Sequence, residues 1–247
     1  MTQVCKLCAR DDRPIRNSHT IPKAVFKSLH SSDGKHVSYK ISENRFNEKA
    51  QDQGDELMLC DICEEHLISK FENYSLRILR EQYTAPDGNK LYWRNVDLHT
   101  VNMYCLSVLW RSMASGHELY KRIPNVPFVV DYYRSYILNN TAISRPKFAV
   151  RISRLDPRPL GLPDNFMVGP IIEPTMANLP INGTVFRFVY WGYLFEKYPC
   201  SFKHSASDRS GIVMKNKRYM HIPDTDIRSH DFIMNLIAKA EQRLTNS

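Results

Sequence analysis

The chain has 247 residues, of which 43% are hydrophobic, 24% charged and 11% aromatic. Such a composition can bury a core and excludes a disordered chain, and no apolar run approaches the ~18 residues of a membrane-spanning helix. Lys and Arg number 34 against 26 Asp and Glu, and the resulting +8 suits a polyanionic partner, nucleic acid first.

The first residues, MTQVCKLCARDDR, contain no apolar signal region, so a cytoplasmic location without a membrane partner is expected. After Cys5-x-x-Cys8, Arg13 to Asn17 suits a short strand that delivers Ser18 and His19. Pro22 to Leu29 follows as a short helix, with Pro22 in its first turn and Val25, Phe26 and Leu29 on one face. His36 to Ile41 alternates like a strand, Ser42 to Asp55 is polar and reads as a loop, and Leu57 to Leu59 is a brief strand entering Cys60-x-x-Cys63. From Asp61 to about Gln82 a long helix is expected, because Leu67, Ile68, Phe71, Tyr74, Ser75, Ile78 and Leu79 recur at the spacing of one buried face.

Ala85 to Lys90 is the linker between an N-terminal unit, 1–84, and a second unit, 91–247. Val96 to Met113 reads as a buried helix and Phe128 to Leu138 as another. Phe148 to Leu155, Phe166 to Ile172, Val185 to Phe195 and Gly211 to His221 read as strands between turn-rich segments, and Ile227 to Leu244 as a closing amphipathic helix.

Four of the six cysteines stand in two C-x-x-C pairs, Cys5 with Cys8 and Cys60 with Cys63. The two-residue spacing lets a tight turn aim two thiolates at one tetrahedral metal, and two such pairs close the four-ligand shell of a structural zinc. The 51 residues between the pairs exceed a simple finger, so further structure must be built inside that loop. Cys105 sits in an apolar helical pattern and reads as a small core residue; Cys200 carries no signal.

The string between the pairs, Asn17-Ser18-His19-Thr20-Ile21-Pro22-Lys23, with Leu59-Cys60-x-x-Cys63-Glu64 beyond it, resembles the HNH, or ββα-metal, nuclease family. The likeness spans roughly residues 4–72 and is nearest to uncharacterised bacterial proteins with a Ser-His-x-Ile-Pro-Lys string; the CLSVLWR segment ending at Arg111 extends it to about residue 112. The resemblance implies an α+β chain: a zinc-stapled, treble-clef-like ββα-metal module, then a helical segment and a mainly β region. It also implies that His19 is the general base of phosphodiester hydrolysis. An imidazole, with a pKa near ~6.5, suits that task at neutral pH. A divalent ion, Mg²⁺ or Mn²⁺, would stabilise charge on the scissile phosphate. Ser18 stands where the family has an acidic ligand; Glu64 takes the place of the ligand after the second pair, and Glu72, two helical turns on, is a further candidate. The middle asparagine of the motif has no single counterpart, with Asp55 nearest in register and Asn44 or Asn47 as alternatives.

Each of these residues also has a plainer reading. Glu64 suits a helix N-terminus, Glu72 a solvated face, His66 a late position near the motif, and His19 a loop hydrogen bond or a zinc ligand. Lys23 beside His19 is a candidate phosphate contact.

The positive excess lies downstream. Residues 1–90 hold 14 bases and 14 acids, residues 91–160 hold 10 and 4, and residues 161–247 hold 10 and 8. Arg94, Arg111, Lys121 and Arg122 are the candidate nucleic-acid contacts of the basic segment, interleaved with Tyr92, Trp93, Trp110, Tyr132, Tyr133 and Tyr136. Most of these aromatics sit at helical spacing and read as core, and Arg111 beside Trp110 reads equally as an internal ion-pairing residue. The expected function is a metal-dependent endonuclease, on DNA before RNA, in the setting of bacterial defence against phage that the resemblance suggests. The alternatives are a non-catalytic zinc-knuckle module that binds nucleic acid or protein, and an effector subunit docked on a partner protein.

Overall fold

The computed structural model describes residues 3–27, 38–40, 45–47, 54–81, 91–141, 149–164, 166–168, 171–179, 183–198, 210–213 and 219–245. The expected linker at 85–90 falls outside them. Within the described residues the chain is mixed α/β, and no helix is long and apolar enough to cross a membrane.

The N-terminal part carries β1 (Ile15–His19), α1 (Lys23–Lys27), β2 (Ser38–Lys40), β3 (Arg45–Asn47) and β4 (Asp55–Cys60). The expected loop over 42–55 thus holds one further strand. β1 and β4 form an antiparallel ribbon with His19 opposite Asp55, Ser18 opposite Glu56 and a bulge between Arg16 and Asn17. Gly54, at φ 65°, leads into β4 against the ring of Tyr120, where a Cβ would collide with the phenol oxygen. The helix expected over 61–82 is present in three continuous pieces: α2 (Asp61–Leu67), a π-helical turn (Ile68–Glu72) and α3 (Asn73–Glu81). Leu67, Phe71, Ser75, Ile78 and Leu79 are buried as the pattern predicts, and Glu72 joins them. The wider π turn lets adjacent Phe71 and Glu72 both face inward.

Next come β5 (Leu91–Arg94), α4 (Leu98–Ala114) and α5 (Pro127–Asn139). Asp97 caps α4, accepting from the backbone N–H of His99 at 3.0 Å and of Thr100 at 3.2 Å. From Met103 to Ala114 every side chain of α4 is buried, as a helix apolar on all sides requires. α5 starts with Pro127 at its first position and ends where Asn140 adopts φ 48°.

The rest is β6 (Ala149–Asp156), β7 (Ile171–Leu179), β8 (Gly183–Tyr190), β9 (Tyr193–Tyr198), β10 (Tyr219–Ile222), β11 (Asp224–Asp226) and α6 (Asp231–Thr245). Two expectations change here. Phe166–Val168 is a 3₁₀ turn, and the strand begins at Ile171. The single strand expected over 185–195 is a hairpin of β8 and β9, turned at Trp191 (φ 51°) and Gly192 (φ 74°). Positive φ at both central residues is the turn that matches strand twist, and a tryptophan at the first of them hid it among apolar neighbours.

Among the described residues, seven strands form one sheet in the order β11-β6-β9-β8-β7-β2-β3, while β5 pairs with β10 apart from it. β2 lies parallel to β7, with Ser38 beside Ile171 and Tyr39 beside Ile172. A continuous buried cluster runs from Cys5 and Leu7 through Phe71, Trp93 and Trp110 to Tyr193 and Ile222. A smaller one, around Leu155, Leu194 and Ile233, lies under α6. The sheet and the main core therefore both cross the expected division at 84–91.

Candidate functional site

The sequence brings four thiols to one point because β4 ends in Cys60 and α2 begins at once, turning Cys63 back towards the knuckle at Cys5 and Cys8. The four sulfurs all lie within 4.8 Å of one another, with Cys8 Sγ and Cys60 Sγ 3.8 Å apart. A tetrahedral Zn²⁺ with bonds of ~2.3 Å needs sulfur–sulfur edges of about 3.8 Å, so the donor set and its spacing fit zinc. The backbone N–H of Cys60 also donates to Cys5 Sγ at 3.3 Å. Cys5 is held at a pKa of about 4, first by the hydrogen bond from Cys63 and also by backbone N–H groups. The same contact, with burial, pushes the Cys63 thiol far up. A bound cation would let all four sulfurs share negative charge.

Beside the thiols lies a buried charged cluster. Arg111, on α4, is 1% exposed; its Nη1 donates to the carbonyl of His19 at 2.7 Å and its Nη2 to Glu72 Oε1. Burial opposes the Arg111 charge, but the Glu72 and Glu64 carboxylates outweigh it and raise the pKa above its ordinary value. Glu64 stands in the first turn of α2. Its pKa is raised, chiefly by burial, against the pull of the Arg111 charge and the Ser18 hydroxyl. The hydroxyl's own hydrogen bond, to the Arg16 carbonyl, is long at 3.5 Å. Among the described residues, Glu64 Oε2 and His66 Nε2 are buried without a hydrogen-bond partner.

Ser18 is buried and His19 half-buried at the end of β1, and strand alternation sends their side chains to opposite faces of the ribbon. Asp55 sits across from His19, Asn47 lies in β3, and Asn44 is outside the described residues. His66 packs edge-on against Phe71 with ring centres 5.8 Å apart. Lys23, Arg94, Lys121 and Arg122 are exposed, and Lys121 pairs with Glu118 at 2.5 Å.

Two expectations are corrected. Arg111 is no surface phosphate contact but the internal ion-pairing residue of the alternative reading. Glu72 lies on no solvated face and is no open metal ligand, because its carboxylate is bound to that guanidinium. Among the described residues, the four cysteines are the only group of three or more His, Cys, Asp or Glu close enough to hold an ion.

Four further arginines of the basic segment are ion-paired, two of them with acids outside it. Arg134, Arg151, Arg154 and Arg158 pair with Asp131, Glu196, Asp224 and Asp156. The link from Glu72 to Arg111 was invisible in local pattern: the two are 39 residues apart. The one available signal was a lone arginine inside an otherwise apolar helix. A comparison with known proteins finds no family model, no curated protein and no solved structure that matches this chain.

Proposed function

We propose that the chain is a zinc-stapled nuclease of the HNH type, cutting phosphodiester bonds of nucleic acid, with His19 as general base. The observation that carries this reading is the junction of β1, β4 and α2. It holds His19 at the end of β1 and, on the other face of the ribbon, the Ser18 hydroxyl against Glu64, whose buried Oε2 has no hydrogen-bond partner among the described residues. His19 takes the proton of the attacking water, and the Arg111 guanidinium fixes the His19 backbone through its carbonyl. Glu64 would be the protein carboxylate for a Mg²⁺ or Mn²⁺ that completes its shell with water and substrate phosphate. When bound, that ion would stabilise charge on the phosphate and the leaving oxygen.

One observation favours a second reading, a non-catalytic nucleic-acid-binding module. The Arg111–Glu72 pair places a fixed cation next to Glu64 and removes the second carboxylate from ion binding. Incubating the full chain with supercoiled plasmid, linear DNA and RNA in Mg²⁺, Mn²⁺ or EDTA separates the two. The nuclease reading expects metal-dependent cutting that His19→Ala abolishes at unchanged zinc content and melting. Wild-type inactivity on all three substrates, or full activity of His19→Ala, overturns it.

A further inference from the structure

The two-stranded sheet of β5 and β10 has a sorted pair of faces. Leu91, Trp93, Met220 and Ile222 point into the core, where Trp93 meets Tyr193 edge-on with ring centres 5.8 Å apart. The anchored inner face fixes what the outer one presents: Tyr92 at 43% exposure, Tyr219 at 60%, exposed Arg94 and half-buried His221. Tyr219 is the cross-strand partner of Arg94, and His221 that of Tyr92. A cleft of about 430 Å³ opens between Tyr92, Arg94, Asn95 and Tyr219. The His221 ring lies 5.0 Å from that of Tyr92, and its Nδ1 is tied to Ser210 Oγ at 2.6 Å. Arg94 makes no ion pair among the described residues, whereas five other arginines of the basic segment each bind a carboxylate. Arg94, without an ion pair among the described residues, therefore stands beside two exposed tyrosines.

We propose that this face is a stacking platform for single-stranded nucleic acid, with bases on Tyr92 and Tyr219 and a backbone phosphate on Arg94. The proposal rests on nucleic acid being the substrate, and not on its being cut. Aromatic faces accept any base, and a guanidinium between them grips the backbone without reading sequence. Diagonal neighbours on an antiparallel pair are ~7–8 Å apart, a spacing that successive bases of an extended strand can span. A duplex hides its base faces and gains nothing from the tyrosines.

The test uses the full chain without divalent ions, and fluorescence anisotropy of labelled oligothymidylate, oligouridylate and a duplex, each of about 20 nucleotides. Single strands are expected to bind more tightly than the duplex, and the two homopolymers to tell DNA from RNA. Tyr92→Ala with Tyr219→Ala should weaken single-strand binding about tenfold or more, while the double Tyr→Phe variant retains it. Arg94→Ala should weaken binding and reduce its salt dependence by about one phosphate contact. His19→Ala should bind like wild type, so loss of cutting and loss of the platform are read separately. Unchanged affinity of the double alanine variant at wild-type melting, tighter binding of the duplex, or no binding of any oligonucleotide overturns the proposal.

Discussion

Arg111 has two acceptors and almost no contact with water, so its charge is held entirely by what surrounds it. Removing one partner of a buried pair strands the other, at about 3–5 kcal/mol. Arg111→Met should therefore destabilise the chain by that amount in urea melts, and Arg111→Met with Glu72→Met should recover a large part. A single variant within about 1 kcal/mol of wild type would show that the pair is not structurally important. His230 gives a second handle. Burial, then the Arg187 and Arg151 charges, lower its pKa to about 4, while Thr225 Oγ1 sits 3.1 Å from Nε2. The unfolded chain binds that proton near pH ~6.5, so stability is intact above this value and falls as pH drops towards about 4. His230→Gln should flatten the fall by about 1–3 kcal/mol, measured as urea midpoints across that pH range; an unaltered slope would remove His230 from the account. Of these residues only the cysteines were fully legible in sequence, because ligand spacing is local. Arg111 fitted two readings until α4 was packed.

At the scale of elements, the zinc staple and the α4 cap make separable claims. Cys60→Ser, or prolonged chelation, should abolish zinc binding at the four cysteines and with it the cooperative melting of the N-terminal strands and α2, because a structural zinc is a folding ligand. Metal analysis and circular dichroism would check this, and unchanged zinc content would sink the four-cysteine site. Asp97→Ala removes a cap serving two backbone N–H groups and the Thr100 hydroxyl, and should lower stability by about 1 kcal/mol. Helices were legible where an apolar period continued for several turns, as in α2–α3, α4 and α5. The π turn was not, since it leaves the residue types unchanged and alters only which of them face inward. Strands failed where a turn lacked its usual residues, at Trp191, where a strand is only three residues of a polar stretch, as for β3, or where pairing is with distant chain, as for β11.

Across the whole molecule, the N-terminal segment is tied to the rest by more than its linker. Lys6 donates to Glu56 at 3.0 Å and to the Ala114 carbonyl at 2.9 Å, and Glu56 also receives Ser115 and the Gly116 N–H at 2.7 Å. These bonds hold the Glu56 carboxyl below its usual pKa although burial pushes the other way. No local pattern could reveal such contacts, which is why the 84–91 boundary reads as a domain break in sequence and is not one in the core. The parallel pairing of β2 with β7 adds a matter of timing. Residues 38 and 39 wait for residues 171 and 172. At translation rates of ~5–20 residues per second, the loop between the two cysteine pairs leaves the ribosome on the order of ten seconds before its partner strand. Zinc can close the base of that loop during the interval, so the metal would hold a nascent strand in place until the sheet it completes has been made.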